Sequence, residues 1–263
     1  GADATGPVSA TTTYTLSCTG PGGTTAQSVT VTSSPPPAGQ VVLYGRITFD
    51  RLPFNSVQEQ GLNASQPIRS PAREVVVQIA GVAVPDTVTD AGGYYAVNVP
   101  VGSSVQVRVP ARMRKTGDSP TWDFSVLDNA DGDALYLLVS GIEVPTVNVS
   151  RDLHAPSGWT GSDYSAPRFA APFAILDTVY QAKQLILSAE PTADFPALNL
   201  YWSTENRTTD CPNDDLDCEE GSIPFCPGDG NIGTSFYFTD PSGWPSTRAR
   251  LDATGLGDSL ARA

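Results

Sequence analysis

The chain has 263 residues, and its formal charge is −13, from 28 acidic and 15 basic side chains. A nucleic-acid partner requires a basic face and an anionic membrane surface attracts one, so this charge disfavours both. No apolar run approaches the roughly 20 residues of a membrane helix. With 24 glycines, 23 prolines and only 16% charged residues, the composition is typical of a turn-rich β protein that works outside a cell.

The first predicted element is a β-hairpin between Tyr14 and Thr32. Apolar Tyr14 and Leu16 alternate with polar residues before a Gly/Pro turn, and Val29 and Val31 alternate after it, which is the period of strands. The stretch resembles the last two strands of the immunoglobulin-like (Ig-like) modules of bacterial surface proteins. Residues 1–34 are therefore interpreted as the end of such a module. Since a lone hairpin is marginal in water, we expect another surface to cover it.

A proline-rich linker, residues 35–40, precedes a predicted β-sandwich at 41–150. Its strands are indicated by the alternation that starts at Val41, by the apolar run from Glu74 to Gly81, and by the two alternating runs at 94–110. The polar, proline-bounded stretch 56–73 is predicted to be a loop. Asp90 begins an Asp-Ala-Gly-Gly turn between two of these strands.

Residues 151–263 are predicted to form a smaller α+β region. Apolar residues recur at helical spacing from Leu176 to Ile186, Pro172 suits a first helical turn, and Pro191 follows the end. A strand at 196–203 and a cysteine-bearing acidic loop at 210–230 come next. The fold class is thus mainly β: a sandwich with an amino-terminal hairpin and this smaller region. The resemblance described next implies that the sandwich is prealbumin/Ig-like.

The Asp90 turn and the "VPVG" hairpin after it resemble the prealbumin-like modules that are also called carboxypeptidase-regulatory-like. Together with "AAPFAILDTVYQA" and "IGTSFY", they make residues 41–238 similar to the amino-terminal part of a group of secreted bacterial proteins. In that group, a gluzincin-type zinc-peptidase region with a His-Glu-Trp-Gly-His motif follows. This sequence contains no His-Glu-x-x-His motif and a single histidine, His154, so we expect no enzyme activity. His154 is interpreted as a loop residue without a catalytic partner nearby.

A calcium site is predicted in the acidic turn "DNADGD". Hard cations prefer several oxygen ligands, and short Asp/Asn/Gly loops supply them. An ordinary acidic β-turn explains the same residues equally well. The candidate ligands are Asp128, Asn129, Asp131 and Asp133. A second acidic cluster, at 213–220, is interpreted as a solvated loop.

Four cysteines predict disulfide bonds, because an even count fits an exported protein. They are Cys18, Cys211, Cys218 and Cys226. We expect one local bond among the last three, and Cys18 to pair with the remaining cysteine or with another subunit. The spacing lacks the paired Cys-x2-Cys of zinc ribbons.

These features predict a non-catalytic structural or adhesive protein of a bacterial surface. Because the linker holds the hairpin away from the sandwich, residues 1–40 are expected to join copies head-to-tail by β-strand addition, with Tyr14, Leu16, Val29 and Val31 as the contact residues. Docking of the hairpin within its own chain is the alternative assembly. Two alternative functions are the front part of a secreted zinc metallopeptidase and a carbohydrate- or protein-binding module. The last requires exposed tryptophans on one face, drawn from Trp122, Trp159, Trp202 and Trp244.

Overall fold

The computed structural model describes residues 11–32, 35–55 and 61–206, and the backbone of residues 250–252. Over these residues the protein is mainly β, as predicted, with several sheets and one helix. The strands of the first half are β1 (Thr12–Gly20), β2 (Gly23–Val31), β3 (Gln40–Arg51), β4 (Ile68–Pro71), β5 (Val76–Ala80), β6 (Thr87–Val88), β7 (Tyr94–Pro100) and β8 (Gln106–Pro110). Those of the second half are β9 (Arg112–Lys115), β10 (Trp122–Asp128), β11 (Ala134–Leu135), β12 (Leu137–Val139), β13 (Val149–Ser150), β14 (Leu153–Ala155), β15 (Leu198–Tyr201) and β16 (Arg250–Asp252). The helix is α1 (Ala170–Ala189).

The predicted hairpin is confirmed as a separate two-stranded sheet. β1 pairs antiparallel with β2, and Tyr14 lies opposite Val29. One face carries hydroxyl pairs such as Thr13–Thr30, whose oxygens are 2.9 Å apart, and Thr15–Ser28, at 2.8 Å. The other face carries Tyr14 and its apolar neighbours.

The body is built around β3, the longest strand. β7 and β4 pair antiparallel with β3, and β13 and β14 pair parallel with it. A second sheet has the order β12-β8-β5-β6. Since side chains alternate across a strand, the residues that β3, β5, β7 and β8 contribute to the core fall on one face of each strand, and they include fully buried Leu43, Val77, Val99 and Val107.

A glycine allows the close approach of two strands at β3. A Cβ atom on Gly45 would lie 2.1 Å from the Arg151 carbonyl oxygen, well inside van der Waals contact. The Asp90 turn also forms as predicted: its carboxylate accepts hydrogen bonds from the backbone N–H groups of Gly92, at 2.8 Å, and Tyr94, at 2.9 Å. The loop predicted at 56–73 is wrong at its end, because residues 68–71 form β4 on β3.

The region after residue 150 joins the same core. β14 continues the β3 sheet, and a third sheet contains β9, β10, β11, β15 and β16. α1 packs its amino-terminal half into the common core through Phe173, Ile175 and Leu176. α1 is the only helix among the described residues, and it is not apolar enough to cross a membrane.

Candidate functional site

The apolar face of the hairpin is open to solvent. Leu16 is 70% exposed and Val29 is 62% exposed, and no residue of the hairpin belongs to the hydrophobic core. Residues 4–45 contain no charged side chain at all. A chain that carries thirteen net negative charges thus presents an uncharged, partly apolar projection at its amino-terminal side.

A second apolar surface lies along α1. A cleft of about 320 Å³ opens between the helix and the residues that lead into β15. Most of its wall is carbon, from apolar side chains that include Phe124, Val179, Ile186 and Phe195. The apolar residues that the sequence predicted on one side of α1 therefore have two different environments. Leu176 is 1% exposed in the core, whereas Ile186 is 48% exposed at the cleft. A volume above about 300 Å³ is in the range of ligand-binding pockets.

A buried cation adjoins this cleft. The Lys183 side chain is 1% exposed, and its ammonium group pairs with the Glu74 carboxylate and lies 3.5 Å from the centre of the Trp122 ring. Burial lowers the pKa of Lys183, and the hydrogen bond that its ammonium group donates to Glu74 opposes that change. Glu74 has a φ of 54°, a left-handed conformation that non-glycine residues rarely adopt. Glu74, whose carboxylate pairs with Lys183, is therefore a residue with a strained backbone conformation.

The interpretation of His154 as a loop residue is wrong, because it lies in β14, where a hydroxyl and a carboxylate lie within hydrogen-bonding distance of its ring. Pairing of β14 with β3 brings its Nδ1 to 3.0 Å from Thr48 Oγ1 and its Nε2 to 3.1 Å from Asp50 Oδ1. Hydroxyl, imidazole and carboxylate occur in the same order in hydrolase triads. Thr48, however, is 6% exposed in the central strand of its sheet, and its hydroxyl faces Nδ1, whereas the nucleophile of those triads faces Nε2. We interpret the three residues as a polar link between β14 and β3.

The "DNADGD" segment forms the tight turn between β10 and β11. One Asp128 oxygen accepts the Ala130 N–H at 3.0 Å and the other accepts the Tyr136 hydroxyl at 2.9 Å. Burial raises the pKa of Tyr136, and so does Asp128. Among the described residues, no three carboxylate, histidine or cysteine side chains converge as a metal site would require. The calcium site at Asp128, Asn129, Asp131 and Asp133 stays a prediction.

Cys18 is exposed in β1, and it has no disulfide partner among the residues that the structure describes. The cysteines at 211, 218 and 226 and the acidic cluster at 213–220 lie outside the described residues, so the disulfide prediction stays open.

The three described tryptophans do not form an exposed aromatic face. Trp202 is 2% exposed, and Trp122 and Trp159 are half-buried; Trp244 lies outside the described residues. The binding-module alternative therefore gains no support from them.

No protein-family model, curated protein or solved structure matches this chain. Its similarity to the secreted bacterial proteins described above stays a prediction.

Proposed function

We propose that this protein is a non-catalytic structural or adhesive component of a bacterial surface, outside the cell, and that its copies associate through the amino-terminal hairpin. The observation that carries the proposal is the exposed apolar face of β1 and β2. A two-stranded hairpin is at best marginally stable alone, and this one gains no support from the core. Burial against another copy removes Leu16 and Val29 from water. This stabilises the association by about 25 cal/mol for each Å² of apolar area buried.

The charge distribution supports association at this place. Net charge of one sign keeps chains apart, and a chain with charge −13 repels its copies over most of its surface. The hairpin carries none of that charge, so two copies meet there with little repulsion.

We further propose that the two sheets around β3 and β8 form a prealbumin-like sandwich. β7 and β8 are consecutive in the chain but belong to different sheets, and their apolar faces contribute to one core. A sandwich of this kind suits a spacer or adhesion unit, although the fold alone does not specify the function.

Removal of residues 1–38 tests the assembly. The cut leaves Gly39, whose carbonyl oxygen accepts the Val101 N–H at 3.0 Å, and the core begins only at Val41. We expect the shortened chain to melt like the full chain and to elute as a single copy in light-scattering chromatography, at concentrations where the full chain associates. Association of the shortened chain to the same extent would refute the proposal.

A further inference from the structure

If copies associate through the hairpin, as the proposed function states, a specific surface of the second copy must receive it. Most sheet edges are poor acceptors among the described strands of the body. The end strands β6 and β11 have two residues each and β12 has three, and very short edge strands discourage strand addition. The exception is β7, which has seven residues and pairs with β3 alone. β12 is also interrupted: Val139 pairs with Arg108, whereas Glu143 bridges Val105, which leaves one extra residue in the outer strand. Such a bulge protects an edge further.

The cleft beside α1 offers an apolar surface that can enclose side chains, which a strand edge does not. It is concave, and its lining is mostly carbon. Its only charged lining residue is Lys183, which Glu74 already neutralises. The described residues of this strongly acidic chain therefore present both an uncharged, partly apolar projection and a charge-neutral apolar cleft.

The chain of the hairpin leaves the sandwich at the end opposite to the cleft. The hairpin leaves the body at Gln40, opposite Pro100 at one end of β3. Ile47, seven residues further and about 23 Å away at the rise of a strand, accepts the Ala72 N–H. The residues that follow Ala72 hold α1 at this far end: Arg73 binds Asp177 at 2.7 Å, and Glu74 binds Lys183.

We propose that the apolar face of the hairpin, centred on Leu16 and Val29, docks into the α1 cleft of a second copy of this chain. Side chains, rather than added strands, make this contact. Because donor and acceptor are different surfaces, the contact is head-to-tail and repeats from copy to copy as a ring or an open series.

A mixing experiment with two point variants of the full chain tests the contact. Leu16→Asp damages the donor and leaves the cleft intact, and Ile186→Asp damages the cleft and leaves the hairpin intact. Both positions are exposed, so both variants should fold, which matching circular-dichroism melts will verify. Each variant alone should associate at least about tenfold more weakly than the unmodified chain, because the new carboxylate loses water in an apolar contact. A 1:1 mixture should form dimers, since an intact hairpin meets an intact cleft.

Leu185→Asp is the matched control, because it adds the same charge on the same helix but does not line the cleft. It should associate much more strongly than Ile186→Asp. If Ile186→Asp associates like the unmodified chain while Leu16→Asp does not, the hairpin joins copies elsewhere and the cleft is not its acceptor. If both variants are single copies and their mixture forms no dimer, the head-to-tail contact is also refuted. An unmodified chain that never associates refutes the proposed function itself.

Discussion

Replacement of Glu74 by Gln is the sharpest test of the buried cation beside the cleft. The Lys183 side chain is 1% exposed, against 26% for Glu74, and the ammonium group lies on the face of Trp122. Gln keeps the shape of the side chain and a carbonyl acceptor but removes the negative charge. The variant leaves a buried ammonium group without its counter-charge.

The expected loss is about 3 kcal/mol, the lower end of the 3–5 kcal/mol typical when one partner of a buried pair is removed. The lower end applies because water still reaches part of the Glu74 side chain. For a chain of this length, about 3 kcal/mol corresponds to a fall in melting temperature of about 6–12 °C.

The loss should shrink as the pH rises. Burial already lowers the pKa of Lys183 from its ordinary value of 10.5, and removal of Glu74, which raises that pKa, lowers it further. Between the folded-state pKa and 10.5, the unfolded chain binds more protons than the folded chain, so the free energy of unfolding increases with pH. In the variant this interval begins at a lower pH, because its Lys183 pKa is lower. The difference in free energy of unfolding between the variant and the unmodified protein should therefore narrow between pH 7 and pH 10.

Urea unfolding of both proteins at pH 7 and at pH 9.5 measures this effect. The double variant Glu74→Gln/Lys183→Met is the control, since an apolar side chain in place of the cation should recover most of the loss. A Glu74→Gln variant as stable as the unmodified protein at pH 7, or a loss that does not change with pH, would refute the reasoning.

Three other predictions concern the body and the cysteines. Gly45→Ala should cost at least about 2 kcal/mol of unfolding free energy, because its Cβ would collide with the Arg151 carbonyl. Gly141→Ala is the control and should not have this cost, because the space around Gly141 is open. Equal urea midpoints for the two variants would contradict this prediction. Tyr136→Phe should cost about 1–2 kcal/mol, since the hydroxyl group satisfies Asp128 and lies 3.0 Å from the Trp202 carbonyl oxygen, and an unchanged midpoint would argue against that role. Peptide mass mapping of native protein should find one disulfide among Cys211, Cys218 and Cys226; four free thiols would rule it out.

Local sequence patterns were sufficient to predict those strands, turns and helices that form because of residues close together in the chain. Alternation around Leu43 and Val99 marks strands because one face of each is buried, and the hairpin and α1 follow from period and turn residues in the same way. β4 was missed because its sequence, Ile68–Pro71, is short and bounded by polar and proline residues, and its place is decided by pairing with β3.

Contacts between distant segments could not be read from the sequence. Thr48 and His154 are 106 residues apart, and Glu74 and Lys183 are 109 apart, so only the folded chain brings each pair together. The helical period predicted an apolar stripe on α1 but could not indicate that its second half, around Ile186, faces an open cleft. No local signal predicts the left-handed backbone of Glu74.

Sedimentation velocity of the full chain over a range of concentrations tests the central claim most directly. Head-to-tail association through the hairpin predicts a weight-average mass that rises with concentration beyond that of a dimer, and a Leu16→Asp variant that stays at the mass of one chain. A full chain that keeps the mass of one copy at every concentration, or a Leu16→Asp variant that associates as the full chain does, would contradict it.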